Sequence, residues 1–514
     1  MQRLQRSSVN MVFSMAGYAV PMLINFAITP LLLKLLGEAG YGLQSLVTVI
    51  TGYLIVMDMG LDIPITKYLA EDHARKDLEA ENHLLNTTFQ LYIVMGILGM
   101  IILILFAAPL ATNVFKVPAD MIPSAVMVFR FAGLGFLGSM SLTWGRAVSM
   151  GLQRFEITHG ISIIANIIGF ALGIGTAYMG YGVEGFVLMR VLASFFASFL
   201  YWLFIRHFLP TYRINWGFDR STLRRVSSYV GYGTINRAVS SLVSRLDQTL
   251  IGIWLGVAAA GIYAVPFMVV NSCNYMIANM LSFVFPLASE LHSLGHLEAL
   301  RNIFIRATKF ITALGSMIYV PLFVLGDLFM KLWVGENMAE QTTTTMRWLI
   351  AAGFLTTLTA SLTNNIVTGI GQIGLFTRYK TLRALVVGAG CFTLIRPLGL
   401  EGAALALFIA TAVDILYQFV VIKRDLSISP QTLFRQASLA PIGLGLVLGC
   451  IFFFLRPAAH SWIGLIAVGG LYEVIYLVAG YFLGIFGETE IRAVLSLWNS
   501  VVNQLARLKA RKAA

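Results

Sequence analysis

The chain has 514 residues, 58% of them hydrophobic and only 12% charged, with a formal net charge of +12. Soluble domains carry about 25% charged residues, so the composition excludes a soluble enzyme or binding module and points to an integral membrane protein. Cys273, Cys391 and Cys450 all lie in apolar runs, which argues against disulfides or a metal site and suits buried small hydrophobes.

A membrane-spanning helix needs about 20 largely apolar residues. The expected fold is therefore an all-α polytopic membrane protein of about fourteen transmembrane helices. In chain order they fall near 8–36, 41–70, 86–115, 121–150, 158–179, 183–206, 228–255, 258–290, 303–333, 342–370, 379–396, 401–422, 436–456 and 460–486. The first begins beside Arg3 and Arg6 and stays apolar to Leu36. That is too long for a signal-peptide core, so it reads as a retained helix. The polar stretch at 206–225 reads as a linker. The expected division is 1–208 for a first lobe, 209–227 for a cytoplasmic linker, 228–424 for a second lobe, 425–490 for an extra helix pair and 491–514 for a basic tail.

Positive charge sets the orientation. Roughly 25 of the 36 Lys and Arg fall at one set of loops and termini, including Arg75, Lys76, Arg213, Arg220, Arg224, Arg225, Lys423, Arg424 and the tail. Both termini are thus expected in the cytoplasm, as an even helix number requires. The positive balance is explained by orientation and anionic lipid, and no nucleic-acid partner is needed.

The chain repeats itself. YGVEGF at 181–186 returns as LGLEGA at 398–403, placing Glu184 and Glu401 217 positions apart (401 − 184). LLGEAGYG at 35–42 is echoed by WLGVAAAGIY at 254–263, and MGLQ by TGIGQ at 368–372. Matches in one order at offsets of 217 to 219 indicate two pseudo-symmetric six-helix lobes followed by a C-terminal helix pair. Glu184 and Glu401 then read as starts of helices 6 and 12, beside glycines that permit the turn.

Helices 1 and 7 each carry a polar stripe. Asn10, Ser14, Tyr18, Asn25 and Thr29 share one face of the first. Tyr229, Gly233, Arg237, Ser244 and Gln248 are the same positions displaced by 219, widened by Asn236, Ser240 and Ser241. Such faces look inward, either to bond neighbouring helices or to line water. Arg237 lies deep enough for two readings, a contact with an anionic substrate in an aqueous cavity or a buried ion pair. Asp58 and Asp62, four apart, read as a proton-carrying pair or as turn residues beside Gly60 and Pro64. Asp247, Asp414 and Glu473 suit arginine partners, with Asp247 and Asp414 also candidates for ion coupling. Arg130, Arg146, Arg190 and Arg245 are further candidates for substrate contact.

The segments LLGEAGYG, DMGLDIPITKYLAE and SRLDQTLIGIWLGVAAAGIYAV resemble the polysaccharide transporter (Wzx-type oligosaccharide flippase) family of the multidrug/oligosaccharidyl-lipid/polysaccharide exporter superfamily. The resemblance covers essentially the whole chain. It implies two six-helix lobes, alternating access, and export of an undecaprenyl-diphosphate-linked oligosaccharide for surface polysaccharide from a bacterial cytoplasmic (inner) membrane. Polysaccharide polymerase machinery is an expected partner besides membrane lipid, and because the chain has no GxxxxGK[ST] nucleotide loop, H+ or Na+ is the expected coupling ion. No cofactor and no enzymatic step are expected. The expected substrate-facing residues are Arg237, Asn25, Tyr18, Thr29, Ser244, Gln248 and Ser241; Asp58, Asp62, Asp247 and Asp414 would couple the ion. Two alternatives stand beside this reading: a lipid II or multidrug exporter of the same superfamily, and a membrane glycosyltransferase or polymerase. The short outer loops disfavour the second.

Overall fold

A computed structural model of the chain describes residues 2–227, 240, 241, 243–280, 284–358, 363, 366 and 373–486. Every regular element among them is helical. Nine stretches of these residues are long and apolar enough to cross a membrane.

The first compact unit comprises Met1–Ala264. Its helices are α1 (Gln2–Leu54), α2 (Asp62–Arg75), α3 (Leu78–Pro109), α4 (Ile122–Gly151), α5 (Phe155–Thr176), α6 (Gly182–Phe208), α7 (Arg220–Ser227), α8 (Leu246–Trp254) and the first turns of α9 (Val257–Met280). The second unit comprises Val265–Ala514. It holds the rest of α9, α10 (Val284–Ser293), α11 (Leu297–Val334), α12 (Glu336–Leu358), α13 (Ile373–Leu426), α14 (Leu439–Phe454) and α15 (Trp462–Phe482).

Two of these helices, at 53 and 54 residues, are long enough for two crossings each, and glycine explains both. At 53 residues, α1 would run about 80 Å, against a hydrocarbon core of about 30 Å. It is two helices joined at Gly37, whose φ of 69° suits a residue without Cβ. In the same way α13 is two helices joined at Gly399, φ 59°. The predicted boundaries at 37–40 and 397–400 therefore correspond to single-residue joints. The sequence repeat is visible in the backbone as well: Gly37 and Gly256 (256 − 37 = 219) both have positive φ, as do Gly182 and Gly399 (399 − 182 = 217). Glu184 falls in the first turn of α6, where it meets the helix's positive end.

One predicted helix is interrupted. The apolar run at 41–70 breaks into a 3₁₀ turn at Ile55–Asp58, then Met59 and Gly60 with φ of 51° and 71°. Pro64 has no N–H to bond the Gly60 carbonyl, so the chain leaves the helical ladder there. Asp58 and Asp62 consequently do not lie on one continuous helix face; of the two readings left open for them, the backbone matches the turn beside Gly60 and Pro64.

The core of the first unit gathers Leu61, Ile65, Leu69, Leu84, Tyr92, Phe136 and Trp144. Glycines on α4 let α6 approach: a Cβ on Gly135, Gly138 or Gly145 would press on Val191, Ser194 or Tyr201. Small residues are how helices come close where lipid offers no hydrophobic drive. In the second unit, α14 and α15 pack on α11 through Phe452, Tyr472 and Tyr476. The hydroxyl of Tyr472 donates to the Ser316 carbonyl at 3.1 Å, and that of Tyr476 to the Pro441 carbonyl at 3.0 Å.

Candidate functional site

Arg237 and the neighbouring stripe positions Tyr229, Gly233 and Asn236 lie outside the described residues, as do the side chains of Asn10, Ser14 and Tyr18. The rest of the helix 1 stripe bonds to its own backbone, and Thr29 also bonds the Tyr41 hydroxyl. Asn25 Nδ2 donates to the Pro21 carbonyl at 2.8 Å, and Thr29 Oγ1 to the Asn25 carbonyl at 2.7 Å. Side chains that back-bond in this way meet their hydrogen-bonding needs within their own helix.

The described part of the second stripe packs against the second leg of α1. Ser241 Oγ donates to the Gly52 carbonyl at 2.6 Å, and Arg245 Nη1 to the Thr48 carbonyl at 2.8 Å. Tyr53 Oη and Thr249 Oγ1 share a hydrogen bond of 2.6 Å. The Arg245 guanidinium lies where a side chain on residue 52 would stand, so Gly52 is what admits it. Ser244 is exposed and bonds the Ser241 carbonyl, whereas Gln248 is buried.

The acidic candidates separate by partner. Asp58 is buried, and its Oδ1 accepts from the Gly60 backbone N–H at 2.7 Å, which closes the turn. Asp62 is the first residue of α2. Asp247, 1% exposed, accepts from the Tyr263 hydroxyl at 2.7 Å, while its Oδ1 has no hydrogen-bond partner. Its side-chain hydrogen-bond partner among the described residues is thus a tyrosine, while the Arg245 guanidinium acts on it by charge alone. Asp414 does meet an arginine: its Oδ2 lies 3.9 Å from Arg383 Nη1. Asp414 Oδ1, Arg383 Nε and both amide atoms of Gln418 are buried without hydrogen bonds, and Lys380 adds a second positive charge to the surroundings of Asp414. Sequence reading missed this cluster. Its signal is two polar pairs at helical i, i+4 spacing, Tyr379 with Arg383 and Asp414 with Gln418, inside apolar runs. Glu473 Oε2 is buried with no hydrogen-bond partner. Arg190, a candidate for substrate contact, lies over the Phe170 ring at 4.0 Å with its Nη1 buried and unbonded.

A second feature missed from sequence is how the linker is held. Along one face of α3, Asn82, Asn86 and Gln90 present amides at i, i+4 and i+8. Asn82 Oδ1 accepts from Arg213 N at 3.0 Å, and Asn86 Nδ2 donates to the Arg213 carbonyl at 2.8 Å. Asn86 Oδ1 accepts from Asn215 N at 3.0 Å, and Gln90 Nε2 donates to the Asn215 carbonyl at 2.7 Å. The extended linker is thereby paired to helix side chains much as a strand pairs to a neighbour. Asp219 then caps α7, and the bonds it accepts from Ser221 and Thr222 hold its carboxyl well below the usual carboxylate range. Arg225 closes the arrangement with two 2.9 Å bonds to Asp72, stacked over Tyr68 at 4.0 Å. Asp72 beside it raises the Arg225 guanidinium above its ordinary value.

The comparisons with known proteins agree with this architecture. The profile of a family described as polysaccharide biosynthesis protein matches residues 31–342. The chain belongs to that family. Among its relatives, a Shigella flexneri protein described as an O-antigen transporter is 20% identical over 422 residues, covering 79% of this chain and 95% of that protein. The teichuronic acid biosynthesis protein TuaB of Bacillus subtilis is 23% identical over 312 residues, covering 59% of this chain and 57% of that protein. Among solved structures, the lipid II flippase MurJ superposes with a TM-score of 0.65 at 13% identity, covering 93% of this chain and 100% of that chain. A MATE family multidrug resistance transporter of the MOP superfamily gives 0.63 at 14% identity, covering 80% of this chain and 94% of that chain. At such identities the superpositions establish a shared fold.

Proposed function

We propose that this protein is a flippase that moves an isoprenoid-diphosphate-linked oligosaccharide from the cytoplasmic to the outer leaflet of a bacterial cytoplasmic membrane, for assembly of a surface polysaccharide. One observation carries the reading: a polysaccharide-biosynthesis family match over residues 31–342 on a chain whose fold superposes on a lipid II flippase over 93% of this chain. The O-antigen transporter among the relatives supports the same substrate class. In this reading the chain crosses the membrane about fourteen times. Its lobes at 1–208 and 228–424 rock about a midplane site, joined by the 209–227 linker and followed by the pair at 425–490 and the tail at 491–514. A lipid diphosphate needs a wet cationic path for its head while its tail stays in lipid. Arg237 holds the diphosphate bidentately, and Asn25, Tyr18, Thr29, Ser241, Ser244 and Gln248 follow the sugars. H+ or Na+ drives the cycle through the buried carboxylates Asp58, Asp62, Asp247 and Asp414, and the polymerase machinery receives the product.

The test is a reconstituted one. Proteoliposomes carrying a fluorescent undecaprenyl-diphosphate oligosaccharide are treated with an impermeant quencher, and the protected fraction is followed in time. Protein should expose the protected pool. Arg237→Ala should slow this by about tenfold or more while its Tm is held, with Arg237→Lys intermediate because lysine lacks the fork. No exposure by the wild-type protein across an imposed ion gradient would sink the substrate reading. Full exposure by Arg237→Ala would sink the placement of the diphosphate.

A lipid II or multidrug exporter is the second reading. MATE-type structures cover 80–82% of this chain, against 93% for the lipid II flippase, which favours the lipid-linked class over drugs. Lipid II in the same vesicles separates the remaining two.

A further inference from the structure

Within the first unit, the segment 38–42 of α1 meets the start of α9, its own repeat image. The equivalences are Gly42 with Gly261 (261 − 42 = 219) and Glu38 with Val257 (257 − 38 = 219). The contact between them is reciprocal. A Cβ on Gly42 would overlap the Val257 carbonyl oxygen, and one on Gly261 would overlap the Glu38 carbonyl oxygen. The Gly261 Cβ position would also stand 2.8 Å from Gly42 N. Each glycine thus faces the backbone of the residue four before its partner, as a pseudo-two-fold axis between them requires. The obstacle in each case is main chain, which no rotamer change can remove. The surroundings are dry: Leu43, Leu46, Val257 and Ala260 are at most 1% exposed. A hydrogen bond borders the contact, from Lys116 Nζ to the Trp254 carbonyl at 2.7 Å.

We propose that Gly42 and Gly261 are the seal at the outer end of the transport path, two positions whose missing Cβ atoms determine to which side the path opens. The proposal rests on the flippase reading for the path and on the positive-inside orientation for the word outer. Its physical content is an asymmetry. In the arrangement described here the two backbones touch, and a methyl at either position is excluded. In any state in which these ends separate, the same methyl costs nothing. Alanine at 42 or 261 therefore shifts the protein toward the separated state by penalising only the touching one.

The experiment places a single reporter, Ala260→Cys, in protein whose Cys273, Cys391 and Cys450 are alanine, and measures its reaction rate with an impermeant maleimide in intact cells. Residue 260 is buried beside the contact, so the wild-type glycines should leave it slow to react. Gly42→Ala and Gly261→Ala should each raise the rate by about tenfold or more. The double variant should add little, because both changes break one contact. Gly175→Ala and Gly469→Ala, where a Cβ meets nothing within 4 Å, should leave the rate unchanged. An unchanged rate in folded Gly42→Ala protein overturns the proposal. Should the alanine variants fail to fold, a second arm keeps both glycines: Lys116→Cys and Leu255→Cys joined by a short cleavable thiol cross-linker. Joining them should stop export and cleavage should restore it, whereas export at the unjoined rate overturns the seal. If the reporter responds but no lipid-linked sugar moves in vesicles, the seal stands and the substrate reading falls.

Discussion

Asp414 is an acid inside an apolar helix, where it is costly unless paired. Arg383 reaches one oxygen at 3.9 Å, and the other oxygen has no hydrogen bond. A pair held that loosely forgoes part of the attraction that offsets burying two charges. Removing one partner strands the other, and the expected costs are unequal in kind. Asp414→Asn leaves the Arg383 guanidinium beside Lys380 with no neutralising charge, which should lower stability by roughly 3–5 kcal/mol. Arg383→Gln should destabilise less, since Lys380 remains to face Asp414. The double variant should recover most of the loss. Denaturation in detergent compares the three; a fully stable Asp414→Asn protein removes the pair from the structural account. If Asp414 is also the coupling carboxylate, the double variant stays folded while export loses its dependence on the ion gradient. A residue that only neutralises Arg383 would leave that dependence intact.

At the scale of elements, the linker's attachment to α3 depends on Asn86 more than on any other single side chain, because Asn86 serves both Arg213 and Asn215. Asn86→Ala should release this stretch at a cost of about 1–3 kcal/mol, the penalty for partly buried backbone groups left unpaired. Hydrogen exchange at residues 213–219 should quicken in that variant, while the core around Tyr92 and Trp144 keeps its protection. Unchanged exchange at 213–219 would show that the amide ladder does not hold the linker. This ladder was not legible in the sequence. Asn82, Asn86 and Gln90 have a visible i, i+4, i+8 spacing, yet nothing in that spacing names a partner more than a hundred residues away. The helices themselves were legible because 20-residue apolar runs leave the backbone no alternative in lipid. The joints at Gly37 and Gly399 were legible through the repeat. The break at Met59 and Gly60 was legible only as one of two readings: Gly60 and Pro64 marked a turn, while the apolar residues that continue on both sides favoured one unbroken helix. Asp414 was found as a deep charge, but Gln418 and Lys380 were not joined to it, since its surroundings come from two legs of α13 that the sequence separates by about thirty residues.

Over the whole molecule, the question is which way the chain faces. Lys and Arg collect at one set of loops, and insertion retains such segments on the cytoplasmic side. The linker supplies four of these charges, of which Arg213, Arg220 and Arg224 are exposed. The acids nearest to it, Asp72 and Glu71, are taken by Arg225, so the outward-facing arginines keep their charge for the orientation signal and for anionic headgroups. The amide ladder fixes the linker to the same end of α3 that begins at Leu78, just after Arg75 and Lys76. One determination of side therefore fixes the linker, the α2–α3 turn and, through helix parity, the tail. Single cysteines at Ser221 and Ala513, in protein without the native thiols, should resist an impermeant reagent in intact cells and react fully after lysis. Reaction of residue 221 alone before lysis would invert the first lobe and contradict the charge rule. Reaction of residue 513 alone would leave the first lobe as proposed and require an odd number of crossings after the linker. That outcome would replace fourteen helices with another number while leaving the repeat, the ladder and the paired glycines where they are.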